Sequence, residues 1–525
     1  MKFTPFKLTI FFCIQFFLVS TSYSQLSKNW YNEDPDKDRF AGVSSDVTYE
    51  SLLKDRKSTT VIVAVIDGGT EVDHPDLADN IWVNEDEIAD NGIDDDKNGY
   101  VDDVHGWNFI GGKNGDVGPD NVESTRIYKK YKPLFEGKST SGLTAEQKLQ
   151  YALYKKAKAS MEKDLKQAQE GLKSYEPFKK QLDDLKLAMG KENFTGEDVE
   201  KYQTTDKDMQ KLLPSIVSAM KGGVTFEEIY KPFNDGYKQF YSQVNYHLNP
   251  EFESRQIVGD NYEDYTNKYY GNNQLEGPDG DHGTHVAGII GAIRNNNIGM
   301  KGIANDVKIM VVRVVPDGDE RDKDVANAIR YAADNGAKVI NMSFGKNFSP
   351  SRKYVEEAIK YAADKDVVMV HGAGNDGANL DKGGNFPTPY YEATNKRETA
   401  WIEVGAISSS GDVAYFSNYG AKTVDVLAPG VSIYSTVPDG KYDFHDGTSM
   451  AAPVVAGMAA MIRSYFPSLS ASQVRTIIMN SSIKMPIKTK KPGSKKKVKY
   501  TKLCVSGGIV NAYRAVKVAE EVSGK

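Results

Sequence analysis

The sequence predicts an α/β protein: a parallel sheet flanked by helices, carrying an inserted α-helical hairpin or small bundle. Three observations predict it. Continuous apolar runs stand at 59–66 (TTVIVAVI), 307–315 (VKIMVVRVV), 337–343 (AKVINMS) and 367–372 (VVMVHG), and strands that stay apolar along their whole length are those buried on both faces. Helical patterns lie between them, DKDVANAIRYAADNG at 322–336 and SRKYVEEAIKYAADK at 351–365, and strands alternating with helices build parallel sheets. Between 121 and 262 the composition turns to Lys, Gln, Glu and Tyr, with apolar residues returning every three or four positions.

At the N-terminus, Lys2 and Lys7 are followed by the apolar run LTIFFCIQFFLV and then TSYSQ, where Ser22 and Ser24 satisfy the small-residue rule for cleavage before Gln25. This is the layout of a secretory signal peptide over 1–24, too short and wrongly flanked for an anchor. The protein is therefore expected to be exported, to the periplasm or the medium, with no membrane span elsewhere. Cys13 leaves with the leader and Cys504 stands alone, so stability has to come from core size and bound ions rather than a disulfide. Residues 25–57 form an N-terminal segment too short for a core of its own.

The run at 59–66 is a strand ending at Asp67, and Asn375 follows the strand that ends near His371. Both sit where ligands of open parallel sheets bind, beyond the carboxyl ends of the strands. In the inserted region, Leu149, Leu153, Ala157, Met161, Leu165, Ala168, Leu172 and Tyr175 mark an amphipathic helix of about eight turns, with Pro177 near its end. Further helical stretches are expected near 178–190, 206–222 and 225–247. Two roles stay open for the insertion: a structural or self-associating module, or a device for substrate gating or partner docking. Ser449 opens the small-residue helix AAPVVAGMAAMI, whose N-terminal partial charge favours a reactive hydroxyl. The basic stretch 484–502 reads as a solvated loop, with anionic-surface binding as its alternative. GGIVNAYRAV at 507–516 is a closing helix.

The chain has 525 residues, of which 39% are hydrophobic and 26% charged, an ordinary balance for a globular protein with a large core. Its net charge of −6 argues against nucleic acid as a partner, because such binders carry a basic excess.

Chemistry concentrates in VIDGG at 65–69, DHGTHVAG at 281–288 and DGTSMAAP at 446–453. Nucleophilic catalysis by a hydroxyl needs a base beside it and a carboxylate to orient the base, and these segments supply Ser449, His282 and Asp67. The chain order Asp, His, Ser differs from the orders used by chymotrypsin-like enzymes and α/β-hydrolases. The G-x-S-x-G elbow is not met, since Ala451 stands at its second glycine. His74, His105, His247, His371 and His445 have no strong claim to a role. His282 and His285 lie three apart on one helix, but no third segment completes a zinc site.

With these motifs in that order, the chain closely resembles the subtilase family of serine endopeptidases over 58–110 and 265–520. The resemblance implies a subtilisin-like catalytic domain split into 58–120 and 263–525 by the insertion at 121–262. It implies proton transfer from Ser449 to His282, held by Asp67, and assigns the oxyanion to Asn375 within HGAGNDG at 371–377. It also implies that Ser343, Phe344 and Gly345, within NMSFG at 341–345, line the cleft, and that His285 is a packing or hydrogen-bonding residue. Protein or peptide substrates are expected, with no cofactor needed for the chemistry. Secreted relatives usually carry a prodomain, and release of a large one is not expected here from residues 25–57. The rival from another class is a non-catalytic binding protein that uses the insertion on a protease scaffold.

Finally, in NGIDDDKNGYVDDVHGW, Asp94, Asp96 and Asn98 precede Gly99 with the spacing of the first half of an EF-hand loop. Position twelve is His105, so no complete EF-hand is present, and Asp102 or Asp103 would close the shell with the Tyr100 carbonyl. Structural Ca²⁺ is the expected occupant; the other reading is an acidic, Asx-rich turn.

Overall fold

A computed structural model describes residues 26–191 and 193–524. The signal-peptide segment 1–24 lies outside the described residues. Among those described, no helix is long and apolar enough to cross a membrane.

The centre is a nine-stranded sheet, built from β1 (Val61–Asp67), β2 (Gly106–Asn108), β3 (Val307–Arg313), β4 (Val339–Met342), β5 (Val368–Gly372), β6 (Trp401–Ile407), β7 (Val426–Pro429), β10 (Ile483–Lys484) and β11 (Gly508–Ile509). A separate hairpin pairs β8 (Ile433–Val437) with β9 (Lys441–His445). The order in the sheet is β10-β11-β7-β6-β5-β4-β1-β3-β2, and only β10 runs antiparallel to its neighbour. The four strands expected from apolar runs are present, each end within two residues of its predicted place. β6 was not legible as such a run because Glu403 interrupts it, yet every residue of the strand is buried. The Glu403 carboxylate reaches burial by accepting from His371 and from the Trp401 indole, which offsets the cost of burying a charge.

Helices cover both faces: α6 (Asp281–Gly291), α7 (Asp322–Asp334), α8 (Arg352–Asp364), α9 (Thr448–Tyr465), α10 (Ala471–Ser481) and α11 (Ala512–Ser523). α9 is buried along nearly its whole length, and its alanines and glycine let it lie against the strands and α6. The segment before β1 belongs to this core. Trp30 and Tyr31 are fully buried, the Trp30 indole donates to the Ser432 carbonyl, and Ala512 N–H donates to the Val43 carbonyl.

The insertion comprises α1 (Glu123–Phe135), α2 (Ala145–Met189), α3 (Gly196–Glu200), α4 (Lys207–Lys221) and α5 (Phe226–Ser242), which runs on into a π-helical turn, Gln243–His247. The expected break near Pro177 is corrected: α2 continues through it for 45 residues, about 70 Å at the α-helical rise. An internal proline costs about 3 kcal/mol, and packing offsets this, with Tyr175 and Phe178 flanking the proline and set against Phe233 and Phe240. Thr144 and Gln147 form a capping box at its start. Two small cores hold the bundle. One gathers Leu182, Leu185, Phe194, Val199 and Phe226 at the far end, and the other gathers Tyr128, Phe135, Tyr154, Met161 and Leu248 near the sheet. Ile127 and Ala157 pack on Phe348, joining the bundle to the sheet domain. Of the predicted stripe, Leu149 is 74% exposed, because the helix outruns its partners there. The basic stretch at 484–502 is corrected in part: it folds back as a short ribbon, Lys488–Lys490 against Lys497–Lys499, with Thr489 buried.

Candidate active site

Three elements bring the chemistry to the carboxyl edge of the sheet. β1 ends in Asp67, buried at 2% exposure, and its Oδ1 accepts from Gly68 N–H and faces His282 Nδ1, each at 2.7 Å. Its other oxygen is buried without a partner. His282 sits in the first turn of α6, which can press onto the end of β1 because residue 283 is glycine: a Cβ there would stand 2.1 Å from the Gly69 carbonyl oxygen. Asp67 accepts at Nδ1, so the neutral ring carries its proton there and leaves Nε2 bare as a base. Burial works against a charged ring, but Asp67, with Asp281 and Asp279, outweighs it and holds the imidazole above its ordinary range.

Ser449 lies in the first turn of α9, where backbone N–H groups have no carbonyl partner within the helix. Its hydroxyl donates to the Ser343 carbonyl (3.0 Å), and the Ser343 hydroxyl donates back to the Ser449 carbonyl (2.8 Å). Here the hydroxyl is bonded to Ser343 and not to His282, and rotation about χ1 is the movement that redirects it. Asn375 follows Gly374, whose φ is +96°; a Cβ at that glycine would meet the Asn418 amide at 2.5 Å. Asn375 Oδ1 accepts from the N–H and the hydroxyl of Thr448, both at 3.0 Å. That fixes the amide's orientation and leaves its NH₂ as an outward donor beside the serine.

Ser343, Phe344 and Gly345 line a cavity of about 510 Å³ together with Asp67 and His282. Sequence reasoning gave His371 no role, yet it holds this wall. The ring is fully buried, with Nδ1 3.1 Å from both Glu403 oxygens and Nε2 2.8 Å from the Phe344 carbonyl. Facing acceptors at both nitrogens, it donates twice, which requires the protonated ring. Burial opposes that charge, and Glu403 outweighs it and raises the pKa. The signal was the histidine heading HGAGNDG, on the strand that leads to Asn375. Thr448, which clamps Asn375, stood in plain view beside the serine. His285 stacks on His445 at 4.1 Å and donates from Nε2 to the Ile433 carbonyl; burial drives its pKa down and keeps it neutral.

The acidic loop is gathered differently from the expected ligand set. Glu87, Asp96 and Asp103 converge, with ligand atoms within 4.8 Å of one another. Asp94 accepts from the N–H groups of Asn98 and Gly99, Asp102 from those of Asn91 and Gly92, and Glu87 from those of Asp95, Asp96 and Asp102, so all three shape the loop. Asn98 donates its side-chain amide to Asp96 and Asp103, and the Tyr100 ring packs on Trp107 and Tyr331. Burial pushes the Asp103 carboxyl up to about 6, against the bonds from Tyr331, Asn98 and Asn84. Glu87 lies upstream of the motif and was not among the expected ligands.

Comparisons with known proteins identify the relatives of this chain. A thermophilic serine proteinase of Bacillus sp. (strain AK1) is 44% identical over 184 residues, which are 35% of this chain and 42% of that protein. Thermitase of Thermoactinomyces vulgaris is 39% identical over 237 residues, 45% of this chain and 75% of the relative. Subtilisin DY of Bacillus licheniformis is 41% identical over 206 residues, 38% of this chain and 70% of the relative. The chain thus spans less than half of the first of these and 70% or more of the other two. A family model described as "Subtilase family" matches residues 58–503, the stretch that holds the Asp67–His282 pair, Ser449 and Asn375, and on that match the chain belongs to the subtilase family.

Proposed function

We propose that this subtilase is an exported serine endopeptidase in which Ser449 is the nucleophile, His282 the general base, Asp67 its orienting carboxylate and Asn375 an oxyanion donor. The observation that carries this reading is the 2.7 Å Asp67–His282 bond, set beside the turn of α9 that presents Ser449. Ser449 Oγ attacks the scissile carbonyl carbon as its proton passes to His282 Nε2. The negative oxygen is met by the Asn375 NH₂ and the Ser449 N–H. Collapse breaks the C–N bond, with His282 returning the proton to the leaving amine, and water then hydrolyses the acyl-enzyme by the same route. All four residues are present, which tells against the binding-only alternative. Export rests on the sequence pattern at 1–24.

A direct test is the pH profile of peptide hydrolysis. His282 acts only when neutral, and its pKa is raised, so activity should fall as pH drops through a midpoint above the ordinary imidazole value of about 6.5. A rate that stays flat into the carboxylate range would remove His282 as the base.

For the acidic loop, the donor set fits a hard cation: three carboxylates converge on one point, and oxygen ligands suit Ca²⁺. A structural calcium held by Glu87, Asp96 and Asp103 would bind only the folded chain and stabilise it by mass action. Chelation should lower Tm, and Glu87→Gln with Asp96→Asn should remove that sensitivity. Equal melting in chelator and in excess calcium would sink the idea. The insertion at 121–262 is read as a module that shapes access to the cleft or docks a partner, self-association included.

A further inference from the structure

The cavity that contains Asp67 and His282 is also lined by Asp279, Asp317, Asp319 and Glu320. Such a set means little until its counter-charges are traced. Lys346 bonds to Glu123 and Asp322, each at 2.8 Å. Arg126 pairs with Glu123 at 2.7 Å, and Arg321 with Asp120 at 2.7 Å. Those cations meet the Glu320 segment at main-chain oxygens, Lys346 and Arg126 donating to the Glu320 carbonyl and Arg126 also to that of Asp319. Among the described residues neither the Asp319 nor the Glu320 carboxyl forms an ion pair, and Asp319 Oδ2 accepts from the Glu123 N–H.

Glu320 is the telling residue. It is 2% exposed, and its Oε1 has no hydrogen-bond partner. A buried carboxyl oxygen without a donor costs free energy that an arriving donor would recover. Burial pushes this carboxyl above its usual range, and the neighbouring Asp319 adds to the rise against Lys346. At the rim, Asp317 is 45% exposed at its side chain and faces His247 Nε2 at 2.9 Å. Burial opposes its charge, but His247 outweighs this and holds the carboxyl below the usual range, so it is ionised. Besides His247, the wall holds Arg313, which is 2% exposed, donates to the carbonyls of Gly68 and Val117 and stands in the field of Asp116 and Asp279. His247 comes from the insertion, so the inserted module completes the wall.

We propose that this cavity is a subsite for a cationic side chain, so that the enzyme selects peptides carrying Arg or Lys near the scissile bond, with Glu320 as the buried acceptor and Asp317 and Asp279 as the attracting rim. The proposal rests on the endopeptidase reading and specifies its substrate class. The test uses the full mature chain and fluorogenic peptides in which one position at a time carries either Arg or its neutral isostere citrulline. At one position kcat/KM should favour Arg by about tenfold or more, the worth of a partly buried charged hydrogen bond, and the ratio should shrink at about 1 M salt, where the Debye length is about 3 Å. Glu320→Gln and, at the solvent-exposed rim where folding is not at stake, Asp317→Asn should each lower the ratio. Peptides that are cleaved with no Arg preference at any position, or a preference untouched by both variants, would overturn the subsite while leaving the protease reading standing. No cleavage, together with no labelling of Ser449 by a serine-directed phosphonate, would overturn the protease reading and the subsite with it.

Discussion

Ser449 has an ordinary alcohol, and in the proposed mechanism everything that would make it reactive is supplied by neighbours whose own positions are fixed. Thr448 clamps Asn375 through Oδ1, so the donor proposed for the oxyanion is set before substrate arrives. Preorganised donors of this kind act on the transition state more than on the ground state. Asn375→Ala should therefore lower kcat by roughly 10²–10³-fold, the loss known for such a donor in subtilisin, with KM little changed. A variant that mainly raises KM would make Asn375 a substrate-binding residue. Asp67, His282, Ser449 and Asn375 were legible because each sits in a contiguous motif. His371 and Glu320 were not. His371 is set by Glu403, distant in sequence, and Glu320 stands out by a donor that is lacking among the described residues; neither relation leaves a local pattern.

Among the elements, the long apolar strands announced themselves because burial on both faces removes polar residues, whereas β6 was hidden by a glutamate that only its tertiary partners permit. The insertion was legible by periodicity, but the course of α2 through Pro177 was not, since local propensity ends a helix there and aromatic packing overrides it. The far core of the bundle is small and separate from the main one, so the two should open independently. Leu185 is fully buried in that far core, and Leu185→Ala should cost about 2–5 kcal/mol locally. Hydrogen exchange checks this: amides of α3, α4 and α5 should exchange faster while those of β1 and β4 are unchanged. Slowly exchanging α4 amides in the variant, or loss of protection in β1, would contradict a separable module.

For the whole molecule, the carboxyl edge of the sheet is where β1, α6 and α9 deliver three residues widely separated in the chain. A split of the proposed catalytic domain across 121–262 would cost little in principle, because loop-closure entropy grows only slowly with length, and the inserted chain has a small core of its own. The central claim is that this convergence makes one uniquely activated serine. The most direct measurement is labelling with a serine-directed phosphonate, followed by peptide mapping, in wild type and in Ser449→Ala. The account predicts a single modified residue, Ser449, with peptide hydrolysis lost in step with labelling, and neither label nor hydrolysis in the folded variant. Hydrolysis that persists in Ser449→Ala, or a label on another residue, would contradict it.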